Sequence, residues 1–219
     1  MPSEPIKIVK EHLIMCEGQD EYHFLIAYLN APSLSQFPEF ANNIQVYDFG
    51  GNEELEQKIQ ALVVSPNFSK VESLLIIRDA EKDADKASSQ IQSALRKANL
   101  PVPNSVCQWE NGTLRVGFLL FPSCSNELCN GTLEDLCIDI LKESEDDGVT
   151  TMVDEFLDTI ESKRHVALRH RHKSKLHTYF SVNDKYVGQK IGEAARSGAL
   201  DWGSDKLKPM TYFIRELFQ

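Results

Sequence analysis

No apolar run in the 219-residue chain is long enough to cross a membrane. Leu74–Ile77 and Val116–Phe121 are strand-length, far below the roughly 20 residues a spanning helix needs. The opening Met-Pro-Ser-Glu-Pro-Ile-Lys lacks the apolar centre of a signal peptide. A cytoplasmic protein without a membrane partner is therefore expected. Cysteine is sparse: five residues and no Cys-x-x-Cys pair, which excludes the usual zinc framework and, with an odd count, points to reduced thiols. Cys16 and Cys137 lie in apolar runs and read as small core residues. The sequons at Asn67, Asn111 and Asn130 then carry no meaning, because glycosylation needs the secretory route. No internal repeat and no low-complexity tract is present.

Basic residues are also in short supply. Lys and Arg number 23 against 33 Asp and Glu, for a net charge of −10. Alone, that balance opposes broad, nonspecific binding to another polyanion. Acidic residues, however, are missing between Ser162 and Asn183. That stretch holds Lys163, Arg164, Arg169, Arg171, Lys173 and Lys175 with four histidines, at 165, 170, 172 and 177. It reads as a phosphate-binding face, with a solvated helical face as the plain alternative.

What is present is strand–helix alternation. His12–Cys16 is a strand ending in Glu17-Gly18, where Gly18 lets the backbone turn tightly. Asp20 caps a helix with Phe24, Leu25, Tyr28 and Leu29 at helical spacing. Asn43–Phe49 is a second strand, closed by Gly50-Gly51, and Asn52 caps the next helix. Val71–Ile77 is a third strand, nearly all apolar, as expected when both faces are covered. An acidic turn, Asp79–Asp85, then leads into a helix with Ile91, Ala94, Leu95 and Ala98 on one face. This pattern predicts an α/β fold, a doubly wound and mostly parallel sheet with helices on both faces. Ser105–Trp109 and Thr113–Phe121 flank Glu110-Asn111-Gly112 and predict a hairpin. After a loop, Thr132–Leu141 reads as helical, and residues Glu143–Gly148 as an acidic break. A helical C-terminal extension follows, over about Met152–Ser162, His172–Val182, Val187–Ser197 and Lys208–Leu217. Residues 1–125 then make the core and 126–219 a helical elaboration packed on it.

In open sheets of this kind, functional residues gather beyond the carboxyl ends of the strands. Glu17 ends the first strand and Glu21 opens the following helix. Asp79 and Glu81 leave the third strand on alternate positions and are expected to face the same way. With the first and third strands as neighbours, four carboxylates converge. Such a group repels itself unless protons or cations neutralise it, and hard oxygen ligands suit Mg²⁺ or Mn²⁺. A lone strand-end Asp or Glu is more often a helix cap or a solvated side chain. The joint pattern favours a metal site.

At these residues the chain resembles the Toprim superfamily, which carries a strand-end Glu-Gly and a downstream Asp-x-Asp. The matching stretches are Leu13-Ile-Met-Cys-Glu17-Gly18-Gln-Asp20-Glu21 and Leu74-Leu-Ile-Ile-Arg-Asp79-Ala-Glu81. The second Glu four residues on is similar to the nuclease domain of OLD-family (overcoming lysogenization defect) proteins. A small stand-alone bacterial family related to that domain is closer still, through Asn130–Asp135, Lys173–Tyr179 and Gly188–Ala195. The resemblance implies that Glu17, Glu21, Asp79 and Glu81 bind Mg²⁺ or Mn²⁺, with Glu134 completing a second metal position. It also implies that Lys175, or Lys173, steadies charge on a scissile phosphate, with Arg169, Arg171, Lys173 and Lys175 on the nucleic-acid face. Catalysis would then fall to Glu17, Glu21, Asp79, Glu81 and Lys175. The chain departs from the pattern in having Glu81 for the second Asp. It also has no Gly-x-x-x-x-Gly-Lys-Ser/Thr loop and no topoisomerase-type tyrosine. Three functions follow: a metal-dependent nuclease, a non-catalytic module acting with a separate ATPase or as a homo-oligomer, and a primase-like polymerase. The histidines are not expected to hold metal, because their neighbours are cationic.

Overall fold

A computed structural model describes residues 6–31, 42–144 and 148–218. The first five residues read above for a signal peptide, and residues 145–147 of the acidic break, lie outside them. The elements run β1 (His12–Cys16), α1 (Gln19–Leu29), β2 (Ile44–Asp48), α2 (Leu55–Val63), β3 (Ser73–Asp79), α3 (Ala84–Lys97), β4 (Trp109–Glu110) and β5 (Arg115–Phe121). They continue with α4 (Leu133–Ser144), α5 (Val149–Arg164), α6 (Arg171–Ser181), α7 (Ile191–Arg196) and α8 (Lys208–Leu217). One five-stranded sheet has the order β2-β1-β3-β5-β4, parallel except for the short β4 against β5. The α/β fold with helices on both faces is as the alternation predicts.

Alternate residues of the central strands feed two cores. Ile14, Cys16, Leu75, Ile77, Leu119 and Phe121 face α1, α4, α6, α7 and α8. Leu13, Met15, Leu74, Ile76, Val116 and Phe118 face α2 and α3. Covered on both sides, β3 is buried throughout, which is why its sequence is a continuous apolar run rather than an alternation. Cys16 and Cys137 are fully buried, and the five cysteines are free thiols. Among the described residues no helix is long and apolar enough to cross a membrane.

Several expectations shift at the element ends. β3 begins at Ser73 and runs on through Arg78 and Asp79, because the ladder to β5 continues to Phe121. The hairpin partner of β5 is only Trp109–Glu110. Asp20 lies inside the first turn of α1, and the cap position is Gly18, in extended backbone that any residue adopts. Gly18 is small for another reason: a Cβ there would meet Glu21 Oε2 at 3.1 Å. Asn52 is not the cap of α2, which starts three residues later at Leu55.

The Gly188–Ala195 segment serves packing. Gly192 on α7 lies so close to α1 that an added Cβ would fall 2.1 Å from the Cβ of His23. α1 carries Glu21, so this contact sets the position of a carboxylate discussed below. Gly192→Val is expected to lower stability by about 1–3 kcal/mol, the usual cost of overpacking. Urea denaturation checks this, and an unchanged midpoint would show that the close approach is dispensable.

Candidate metal centre

The chain reverses its direction across the sheet between β1 and β3, so the crevice of such sheets opens at their carboxyl ends. A cleft of about 500 Å³ lies there. Glu17, Asp20, Glu21, Asp48, Asp79 and Glu81 line it, facing His170, His172 and Lys173. A cavity of similar size, about 550 Å³, lies at strand starts, lined by Glu11, Lys70, Glu72 and Arg115. Lacking a group of buried carboxylates, it has no comparable chemistry.

Each carboxylate is positioned by the local chain. Glu17 follows β1 directly. Its Oε2 lies 3.6 Å from Nε of the buried Arg78 and accepts from the Asp79 N–H at 3.3 Å. The Gly50-Gly51 loop closes over it, both glycines having positive φ, and the Gly51 N–H donates to the Glu17 carbonyl at 2.8 Å. Asp79 ends β3 and is 8% exposed. Its Oδ1 accepts from the Leu133 N–H at 2.9 Å, so it also serves the start of α4.

The Asn130–Asp135 stretch is a brace. Asn130 accepts from Ala84 N–H and donates to the Lys82 carbonyl, each at 2.9 Å. Gly131 exchanges two backbone hydrogen bonds with Glu81, and Asp135 accepts from the Thr132 N–H. The result buries Glu134 to 3% exposure, with Oε1 3.4 Å from Lys173 Nζ and Oε2 without a hydrogen-bond partner.

Burial and mutual repulsion act together on these groups. Burial pushes Glu21 up to about 7, and Glu17, Glu134 and Asp20 add to the rise. Asp79 lies well above its ordinary value, through burial first and then Glu21, Glu17 and Glu134. Glu17 is raised by burial and by Glu81, only partly offset by Arg78, the Asp79 N–H and Lys173. Lys173 holds its proton more tightly than usual: Glu134, Asp20 and Glu21 outweigh its burial. The carboxylates thus feel one another without forming a closed cage. Among the described residues no three His, Cys, Asp or Glu are gathered as a ready-made ligand group. Mg²⁺ does not require one, since it keeps several waters and takes one or two carboxylates. The orphaned, buried Glu134 oxygen and the shared excess of negative charge fit a dication.

Glu17, Glu21, Asp79 and Glu134 are therefore brought into one electrostatic group. Glu81 differs from expectation. β3 has ended, and Glu81 sits in left-handed backbone at φ 58°, exposed at the rim rather than alternating with Asp79 along a strand. Of the basic residues, Lys173 lines the cleft. Lys175 is ion-paired with Asp154 on α5. Arg171 lies 2.7 Å from Asp158 and 2.6 Å from Glu161. Arg169 is exposed beside the cleft-lining His170. The histidines given little weight above thus include two in the cleft wall. Arg78 and Asp48 were missed. Arg78 was legible as a charge inside an apolar strand, which must find a partner. Asp48 ends β2 as Glu17 follows β1, its register partner being Cys16.

The raised carboxyls predict a pH dependence. Each holds its proton more tightly folded than unfolded, so its stabilising contribution is complete at low pH. That contribution is lost as pH rises from about 4.3, the unfolded value, through about 7 for Glu21. In chelator, Tm is expected to fall across this window; millimolar Mg²⁺ should reduce the fall, and Glu21→Gln should remove part of it. Differential scanning fluorimetry reads all three. A Tm that rises with pH in chelator would contradict the burial of these charges.

A family model described as protein of unknown function (DUF3226) matches residues 11–219. No curated protein matches the chain. Solved structures of the C-terminal region of the Xanthomonas campestris pv. campestris OLD protein are similar to it at low identity. The crystal phased with iodine is 12% identical, with a TM-score of 0.47 and 96% of each chain covered. The crystal phased with mercury is 11% identical, with a TM-score of 0.46, covering 96% of this chain and 97% of that one.

Proposed function

The chain belongs to the DUF3226 family, a family of proteins of unknown function, and from the chemistry of its cleft we propose a Toprim-like, Mg²⁺- or Mn²⁺-dependent nuclease that hydrolyses phosphodiester bonds of nucleic acid. The observation that carries this reading is the buried group Glu17, Glu21 and Asp79, each raised above its ordinary value by burial and by neighbouring carboxylates, together with the buried Glu134, whose Oε2 has no hydrogen-bond partner. These four side chains are the proposed holders of the ion, with Glu81 at the rim. When bound, such an ion polarises a phosphoryl oxygen and lowers the pKa of water.

The rest falls to the chain. Arg78 and the Asp79 N–H orient Glu17, and the Leu133 N–H orients Asp79. Lys173 is the cation inside the cleft, and its ammonium offsets charge developing on a phosphate there. Between the two lysines left open by the sequence, this favours Lys173, which lines the cleft beside Glu134, whereas Lys175 pairs with Asp154 on α5 and is not part of the cleft lining. His170 and His172 offer further hydrogen-bond donors on the same wall.

The test is hydrolysis of end-labelled DNA and RNA, single- and double-stranded, with Mn²⁺ or Mg²⁺ against a chelator control. Chelator-sensitive cleavage is expected. Absence of cleavage on every substrate, with the ion demonstrably bound, would leave the metal-binding module acting with a separate ATPase as the better reading.

A further inference from the structure

Building on the reading of the cleft as a phosphodiester site, we propose that its substrate is a short single-stranded segment of nucleic acid. That segment leaves the cleft across the exposed end of α5 and the turn after it, which carry Lys163, Arg164 and Arg169, and Arg171 and Lys175 do not hold it.

The basic segment divides in two. Arg171 on α6 reaches Asp154, Asp158 and Glu161 of α5, at 3.5, 2.7 and 2.6 Å, and Lys175 pairs with Asp154. These pairs neutralise the α6 face that composition alone presents as basic. Glu161 also accepts from the Leu168 N–H at 2.6 Å. Arg171 and Glu161 thus brace the turn between α5 and α6. Lys163, Arg164 and Arg169 are exposed, and among the described residues none of them is in an ion pair. Arg169 adjoins His170, which lines the cleft, so this cationic turn starts at its mouth.

Charge and volume then set the substrate. A cleft of about 500 Å³ has room for one ligand of drug-like size, so one nucleotide unit enters it at a time. Beyond the cleft the Lys163, Arg164 and Arg169 stretch offers three cations, on a chain of net charge −10. With Lys173 in the cleft, four phosphate contacts on a single strand give a slope of log affinity against log salt of about −3, whereas six to ten contacts on a duplex give about −5 to −9.

Fluorescence anisotropy of labelled octathymidylate, octauridylate and a duplex of about three turns, in millimolar Ca²⁺ over a salt series, tests this. The single strands are expected to bind more tightly than the duplex, with a slope of about −3, and Arg169→Gln to flatten it by about 0.7. Arg171→Gln is expected to lower Tm and leave the slope unchanged; Lys175→Gln serves the same purpose if Arg171→Gln does not fold. Tighter duplex binding, a slope of about −5 or steeper, or equal flattening by Arg171→Gln or Lys175→Gln overturns the proposal. Hydrolysis is scored apart. Cleavage with no oligonucleotide dependence on Arg169 sinks the surface and spares the nuclease reading. Salt slopes as expected with no cleavage do the reverse.

Discussion

Asp79→Asn is expected to abolish metal-dependent hydrolysis while leaving the fold intact. The Asn side-chain oxygen can still accept from the Leu133 N–H, which Asp79 Oδ1 accepts at 2.9 Å, so the start of α4 keeps its partner. What is lost is one of the buried carboxylates proposed to hold the ion. Removing an outer partner of a metal ligand typically costs about 10–100-fold, so loss of a direct ligand should cost at least about 100-fold in kcat/KM. Asp79→Ala removes both the charge and the acceptor, and should lose about 1 kcal/mol more stability through the orphaned N–H. Comparing kcat/KM and Tm for the two variants separates the roles. An Asp79→Asn protein as active as the original would mean that the carboxylate does no more than cap a helix.

The second large effect is on stability. Arg78 is 2% exposed in the middle of the sheet, with Nε 3.6 Å from Glu17 and Nη1 3.0 Å from Gln90. Arg78→Leu leaves the Glu17 charge inside the protein without its cation. Breaking a buried pair from one side costs about 3–5 kcal/mol, which for a chain of this size lowers Tm by very roughly 6–20 °C. The loss should be greater at pH 8 than at pH 5, because Glu17 already lies above its ordinary value and takes up a proton on acidification. Replacing both partners, Arg78→Leu with Glu17→Leu, should recover most of the loss, since an apolar pair needs no partner. Thermal melts of the two single variants and the double variant give the coupling. Additive losses would show that Arg78 supports the fold through Gln90 and packing alone.

Much of this architecture is visible in the linear chain, for physical reasons. The Leu74–Ile77 run marks a strand covered on both faces, and the strand–helix alternation forces parallel neighbours. Glu17 and Asp79 were placed together because functional positions in such sheets lie past the strand ends. Arg78 escaped notice because a charge within an apolar run disappears into the hydrophobic pattern; its partner comes from a neighbouring strand 61 positions away in sequence. Glu81 lines the same cleft as Asp79, but not by strand alternation: the ladder stops at Asp79, and Glu81 sits in left-handed backbone. The basic stretch left a phosphate-binding face and a solvated face both open because its acidic partners, Asp154, Asp158 and Glu161, sit on the preceding helix. Only the packing of α5 on α6 shows which cations are spent. The Asn130–Asp135 stretch could be matched to a family pattern, yet its role as a brace needs the Gly131 backbone bonds to Glu81 and the Asn130 side chain accepting from the Ala84 N–H.

The central claim is met most directly by anomalous scattering from a Mn²⁺-soaked crystal. The expected result is manganese density in the cleft, touching carboxylate oxygens of Glu17, Glu21, Asp79 or Glu134. Density elsewhere on the surface, with these four side chains free of the ion at saturating Mn²⁺, would contradict it.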